Sequence, residues 1–265
     1  MPDSPYRVLV LGDIIGQAGS RAVLTSLANL RKSTHADFVI INGENAADGF
    51  GIMPELAGQL FSAGIDVITT GNHVWQKREI LDYLDTQDRI LRPANYPGGN
   101  PGHGVCVVES KGARVGVVNL QGRIRLAPID CPFRRGKEVL RKLSGDADIV
   151  IVDFHAEATD EKEALALHLD GQVSALFGTH THVQTADERV LPKGTAYLTD
   201  IGACGPRESV IGFKPEISVE RAQTQLPLRN EVSNNAAVLH GALIEVDRSN
   251  GKATSIRRIR EESLV

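Results

Sequence analysis

RVLVLGDIIG, residues 7–16, is a short apolar run that ends in a glycine and a carboxylate. Its continuous β-branched and leucine residues predict a strand buried on both faces, as in a parallel sheet covered by helices. The same grammar returns in DFVIINGEN (37–45), DVITTGNH (66–73), DIVIVDFHAE (148–157) and VSALFGTHTH (173–182). Each run delivers carboxylate, amide or imidazole groups to a strand end: Asp13, then Glu44 and Asn45, Asn72 and His73, His155, and His180 with His182. A sheet edge that collects so many metal-binding groups is most simply explained as a two-metal hydrolytic site.

Between these runs the period changes from strand to helix. Ser20 to Lys32, Met53 to Ala63 and Lys77 to Leu84 read as helices, which gives a βαβαβ start and parallel, right-handed crossovers. The second half is different. Gly104 to Glu109 and Arg114 to Leu120 predict a hairpin, and Phe133 to Leu143 and Asp160 to Leu169 predict helices. Strands follow at Val173 to Phe177 and Ala196 to Thr199. Ala237 to Val246 and Ala253 to Ile259 flank an Asn250-Gly251 turn signal and predict a closing hairpin. Gly202 to Asn235 reads as a long irregular loop over the site. Parallel strands plus two hairpins predict a mixed α/β pair of sheets flanked by helices.

The 265 residues suffice for one large α/β core, and no Ser/Gly/Pro-rich linker divides them, so residues 1–265 read as one domain. A net charge of -4 argues against a surface that coats long nucleic acid. Cys106, Cys131 and Cys204 are odd in number and form no CxxC pair, which fits a reducing, cytoplasmic setting. The amino terminus MPDSPYRVLVLGD lacks the basic start and apolar length of a signal peptide. No stretch approaches the roughly 18 apolar residues of a membrane span. A homo-oligomer is left open.

Each candidate also has a structural reading. Asp13 alone is an ordinary cap or turn residue, and Asn-Gly-Glu-Asn is an ordinary turn composition. His180 and His182 lie two apart, and in an extended segment they point to the same side, which aims both imidazoles at one point. His35, His103, His168 and His240 lack such context and are read as structural. Arg123, Arg125, Arg134 and Arg135 are weaker candidates for substrate contact, with a solvated-loop reading beside it. Cys204 is either a pocket wall or a small buried residue, and Trp75 either stacks on a base or packs.

The order Asp13, Glu44-Asn45, Asn72-His73, His155, His180/His182 resembles that of the metallophosphoesterase (calcineurin-like) superfamily. The longer strings GDIIGQAGSR, INGENAADGFGI, TTGNHVW and FGTHTHVQTADERVLPKGTAYLTDIGACGP resemble its YmdB-like branch, bacterial cyclic-nucleotide phosphodiesterases. The resemblance covers nearly the whole chain and is weakest from Gly122 to Gly145. It implies a four-layer αββα sandwich and two metal ions per chain, iron or manganese first and zinc as an alternative. It assigns Asp13, Glu44, Asn45 and His182 to one ion, and Glu44, Asn72, His155 and His180 to the other. The sequence departs from the superfamily pattern in three places. Ile15 stands where a first-motif His is usual, Glu44 where an Asp bridge is usual, and Val74 where an acid usually orients the His.

On this resemblance a hydroxide between two cations about 3.5–4 Å apart attacks phosphorus. His73, not needed as a ligand, is the candidate general acid to the departing ribose oxygen, with orientation of phosphate as a hydrogen-bond donor the alternative role. The implied substrate is a small phosphodiester, 2′,3′- and/or 3′,5′-cyclic nucleotides. One alternative is a phosphomonoesterase or nuclease on the same metals; another is a metal-stabilised regulatory or binding protein with little turnover.

Overall fold

The computed structural model describes residues 4–263; the first three residues of the stretch read as lacking a signal peptide lie outside them. Two sheets carry the fold. The larger has eight strands. Asp13–Ile14, Ala203–Pro206, Ala237–Val246, Tyr6–Leu11, Phe38–Asn42, Val67–Thr69 and Ile90–Leu91 follow one another across it, and Ala253–Glu262 pairs along Ala237–Val246. The smaller has six strands, in the order Arg189–Val190, Ala196–Leu198, Ala175–Thr179, Ile149–His155, Ala113–Gln121 and Val105–Ser110. Tyr6–Leu11, Phe38–Asn42 and Val67–Thr69 run parallel, as do Ala113–Gln121, Ile149–His155 and Ala175–Thr179.

Alternation within single strands builds the layers. Val8 and Val10 pack with Val115, Val117, Ile151 and Phe177 in a core between the sheets. Leu9 and Leu11 face the other way, onto Val23, Leu27 and Leu60 of helices Gly16–Thr34 and Pro54–Ala63. In the smaller sheet Val152 and Phe154 turn outward onto Val139, Leu165 and Leu169 of helices Pro132–Leu143 and Thr159–Leu169. Successive side chains of a strand point to opposite faces, so an unbroken apolar run serves two cores at once. The result is helix, sheet, sheet, helix: the four-layer αββα sandwich. Among the described residues no helix is long and apolar enough to cross a membrane.

Two expectations need correction. The Gly202 to Asn235 segment is not a plain loop. It contains the strand Ala203–Pro206 and the helix Pro215–Thr224. That helix buries none of its residues, so it carries no apolar stripe for periodicity to detect. The segment around His180 and His182 is not extended. The strand ends at Thr179, and both histidines take positive φ, 99° and 64°.

Candidate metal centre

The parallel strands of both sheets end at one seam, where most of the polar residues named above meet. Glu44 is fully buried at its centre. Its Oε1 lies 3.0 Å from His155 Nε2 and 3.5 Å from His73 Nδ1. The same oxygen accepts from Asn45 Nδ2 at 3.4 Å, and Oε2 accepts from the His73 backbone N–H at 3.1 Å. Gly71 makes this approach possible. A Cβ there would stand 2.2 Å from His155 Cδ2 and 2.4 Å from Glu44 Oε2.

Two groups of donors flank Glu44. On one side, His180 Nδ1 lies 3.0 Å and Asn72 Oδ1 3.1 Å from His155 Nε2. Donor atoms of Glu44, His155 and His180 all fall within 4.8 Å of one another, close enough to share one ion. On the other side, His182 Nε2 lies 3.1 Å from Asn45 Nδ2 and 3.7 Å from Asp13 Oδ1. The bend at positive φ therefore parts the two histidines: His180 joins His155, and His182 joins Asp13 and Asn45. This corrects the expectation that both imidazoles aim at one point.

The ring orientations fit metal binding. His182 Nδ1 donates to the Ile211 carbonyl at 3.0 Å, which leaves the Nε2 lone pair facing Asp13. Ile211 itself is held at φ 48°, an outlier for a β-branched residue. For His155, the Thr179 hydroxyl donates to Asp153 at 2.7 Å and so accepts from His155 Nδ1 at 2.9 Å. Its Nε2 is thereby turned to the site. Outer hydrogen bonds of this kind fix a ligand's tautomer and ring angle. Mixed carboxylate, amide and imidazole donors suit iron, manganese or zinc.

The charges are arranged as a cation site requires. Burial works against the Glu44 carboxylate, but His155 and His73 outweigh it and hold its pKa well below the usual range. Burial likewise disfavours a charged His155, yet Glu44 and Asp13 push it up to about 9. Burial and the His155 charge drive His180 down to about 3, and burial raises Asp13. His155 therefore carries a proton where a cation would supply the positive charge.

Several supporting residues were not singled out from sequence. Asp153 is fully buried and burial raises it to about 6; it accepts from Thr179, Thr69 and Asn42. Its spacing in Asp153-Phe154-His155, two before the histidine on the same face, was the available signal. Lys162 and Asp200 form a buried ion pair at 2.8 Å, and Asp200 accepts from the Thr181 backbone and hydroxyl between the two histidines. Glu157 Oε2 lies 3.4 Å from His180 Nε2, and Arg125 stands 3.9 Å from Glu157. Arg134 and Arg135 pair with Glu138 on a helix surface, and the Arg123 backbone is held by Glu161. Cys204 is a core residue, and Trp75 packs edge-on against Tyr96 at 5.2 Å.

A model of the YmdB-like protein family matches residues 9–259. The chain belongs to the YmdB-like family. It is similar to a 2′,3′-cyclic-nucleotide 2′-phosphodiesterase of Bacillus subtilis (strain 168), 44% identical over 253 residues, 96% of each chain. Among solved structures, a novel phosphatase of Mycoplasma pneumoniae is similar at a TM-score of 0.93 and 38% identity, over 99% of this chain and 95% of that one. A hypothetical protein of Thermus thermophilus is similar at 0.91 and 40%, over 97% and 99%. This YmdB-like chain thus shares its fold with relatives along nearly its full length.

Proposed function

We propose that this YmdB-like protein is a metal-dependent phosphodiesterase that hydrolyses cyclic nucleotides at a dinuclear centre. The observation that carries the reading is the position of Glu44. One buried carboxylate touches both donor groups, Asn45 on one side and His155 on the other. Asp13, Asn45 and His182 would hold one ion with Glu44; Asn72, His155 and His180 would hold the second with it. Iron or manganese fits best, with zinc as the alternative. When bound, such a pair supplies Lewis acidity toward phosphate oxygens and an activated water.

The chain's own residues do the rest. Asp153, Thr179 and Ile211 hold the ligating imidazoles in one tautomer. His73 is bonded on its Nδ1 side and keeps 24% of its side chain exposed, so its far edge is open to substrate. There it gives a proton to the ribose oxygen as it departs. The similarity to the Bacillus subtilis enzyme supports 2′,3′-cyclic nucleotides as the first class to test. A diester monoanion is favoured over a monoester dianion. The dianion gains more ground-state attraction to two cations, which lowers KM without aiding the chemical step.

The test is a metal-reconstituted assay over 2′,3′- and 3′,5′-cyclic nucleotides, monoesters and short oligonucleotides, with product analysis. Opening of a 2′,3′-cyclic nucleotide to one monophosphate is expected. Turnover of monoesters alone would replace this reading with a phosphatase.

A further inference from the structure

We infer that Phe50 is the platform on which the base of the nucleotide stacks. The inference rests on the phosphodiesterase reading, which supplies the nucleotide. Phe50 is 37% exposed, and among the described residues it is the only exposed Phe, Tyr or Trp side chain. Singly exposed apolar side chains are ordinary on a protein surface; what sets Phe50 apart is its neighbour. The ring stands beside His73, edge-on, with centroids 5.0 Å apart.

The ring is held there from two directions. Its own turn is tight: the Ala47 N–H donates to the Gly51 carbonyl at 2.9 Å and the Phe50 N–H to the Ala47 carbonyl at 3.1 Å. Asp48, Gly49 and Gly51 all take positive φ, 56°, 87° and 77°. A Cβ on Gly49 would approach Val232 to 2.8 Å, so the turn is seated against the far loop. Behind Phe50 lies Phe213, stacked at 5.9 Å and 28°. Phe213 closes a second tight turn with Val210, and within that turn the Ile211 carbonyl orients His182. Phe50 is therefore tied to His73 on one side and, through two residues of one turn, to His182 on the other. In the second turn Ile211, a β-branched residue at φ 48°, carries backbone strain of the kind that concentrates at functional sites.

A backed ring that already stands beside the proton donor loses little freedom on meeting a planar ligand. Every nucleobase has a π-face, so such a platform accepts all bases with weak discrimination. Trp75 does not compete for the role, because its ring is spent on Tyr96.

The experiment compares wild type with Phe50→Ala, Phe50→Leu and Phe50→Trp, each metal-reconstituted, on adenosine 2′,3′-cyclic phosphate and on ribose 2′,3′-cyclic phosphate. The second carries the same diester without a base. In Phe50→Ala and Phe50→Leu the ratio of kcat/KM for the nucleotide to that for the sugar phosphate should fall about 10- to 100-fold, through KM. Phe50→Trp should keep the ratio. Leucine preserves an apolar contact to Phe213, so a thermal melt close to wild type separates lost stacking from lost packing. A second arm measures adenosine monophosphate binding to the metal-free protein by ligand NMR, where both aromatic-deleting variants should bind more weakly. Equal losses on both diesters, or unchanged adenosine monophosphate binding, would overturn the platform. If wild type turns over neither diester, the phosphodiesterase reading fails, and the binding arm still decides the role of Phe50.

Discussion

The side-chain oxygen of Asn45 accepts a hydrogen bond from His73 Nδ1 at 2.9 Å. Its amide nitrogen meanwhile faces His182 Nε2, Asp13 and Glu44 at 3.1, 3.4 and 3.4 Å. Three acceptors thus surround an N–H donor at the place proposed for one cation. A cation there needs the amide oxygen instead. Turning the amide by half a revolution presents its NH2 to His73 Nδ1, so that ring nitrogen becomes an acceptor and the proton moves to Nε2. Metal loading should therefore convert resting His73 from the Nδ1–H to the Nε2–H tautomer; as general acid it acts as the imidazolium, protonated on both nitrogens, and ends neutral. Nitrogen-15 NMR of labelled histidine would read the change, and Asn45→Ala should abolish it. A His73 signal indifferent to metal would refute the coupling.

His73→Ala should keep its metal content and lose activity by about 10²–10⁴-fold, the usual worth of a positioned general acid. The loss should shrink for a diester with a nitrophenolate leaving group, which departs without protonation. Equal losses on good and poor leaving groups would assign His73 to phosphate orientation.

Glu44→Ala should deplete both metal positions, because it removes a donor from each. Asn45→Ala should weaken one position only. Metal analysis by plasma emission after dialysis gives the stoichiometry. Saturation of wild type at one ion per chain would contradict a shared carboxylate.

The metal-free protein should lose stability as pH rises from 6.5 toward 9. His155 has a folded pKa of about 9 against an ordinary 6.5, so its contribution is complete below 6.5 and is lost as pH passes through 9. Asp153, raised to about 6, has the same sign over a lower window, from 3.8 upward. A bound cation needs a neutral His155 and takes over the compensating charge, so metal loading should flatten or reverse the trend. Thermal melts at pH 6.5 and 9, with metal and with chelator, make the comparison; parallel curves would sink the proposal.

Lys162→Met should cost about 3–5 kcal/mol, because it leaves the Asp200 charge buried without its partner. It should also weaken metal binding, since Asp200 holds Thr181 between His180 and His182. Adding Asp200→Asn to Lys162→Met should recover most of the stability. Chemical denaturation of the three proteins measures this, and full stability in the single variant would show that the pair is dispensable.

Strands covered on both faces were legible because each strand near the site is an unbroken apolar run, while the four-layer order came from the family resemblance. Leu9 and Val10 differ little in chemistry, yet they feed different cores, and only a doubly covered strand tolerates that. The Pro215–Thr224 helix was not legible, since a helix that buries nothing leaves no periodic trace. The histidine pair shows a different limit. Spacing of two implies a common side only where the backbone is extended, and the positive φ of His180 and His182 sends the rings to opposite donor groups. The Asp153, Thr179 and Asn42 network joins residues up to 137 apart in sequence, which local patterns do not reveal. Asn45 also answers what orients His73 when Val74 stands where an acid is usual.

The seam between the sheets has a mechanical consequence. The larger sheet delivers Asp13, Glu44, Asn45, Asn72 and His73, and the smaller delivers His155, His180 and His182. Neither sheet owns a complete coordination set. Ions held here would act as rivets through two plates, loaded in shear whenever one sheet slides over the other. Withdrawing metal should therefore loosen the smaller sheet against the larger while the strand pairing within each sheet survives, and amide hydrogen exchange along the seam would register the change.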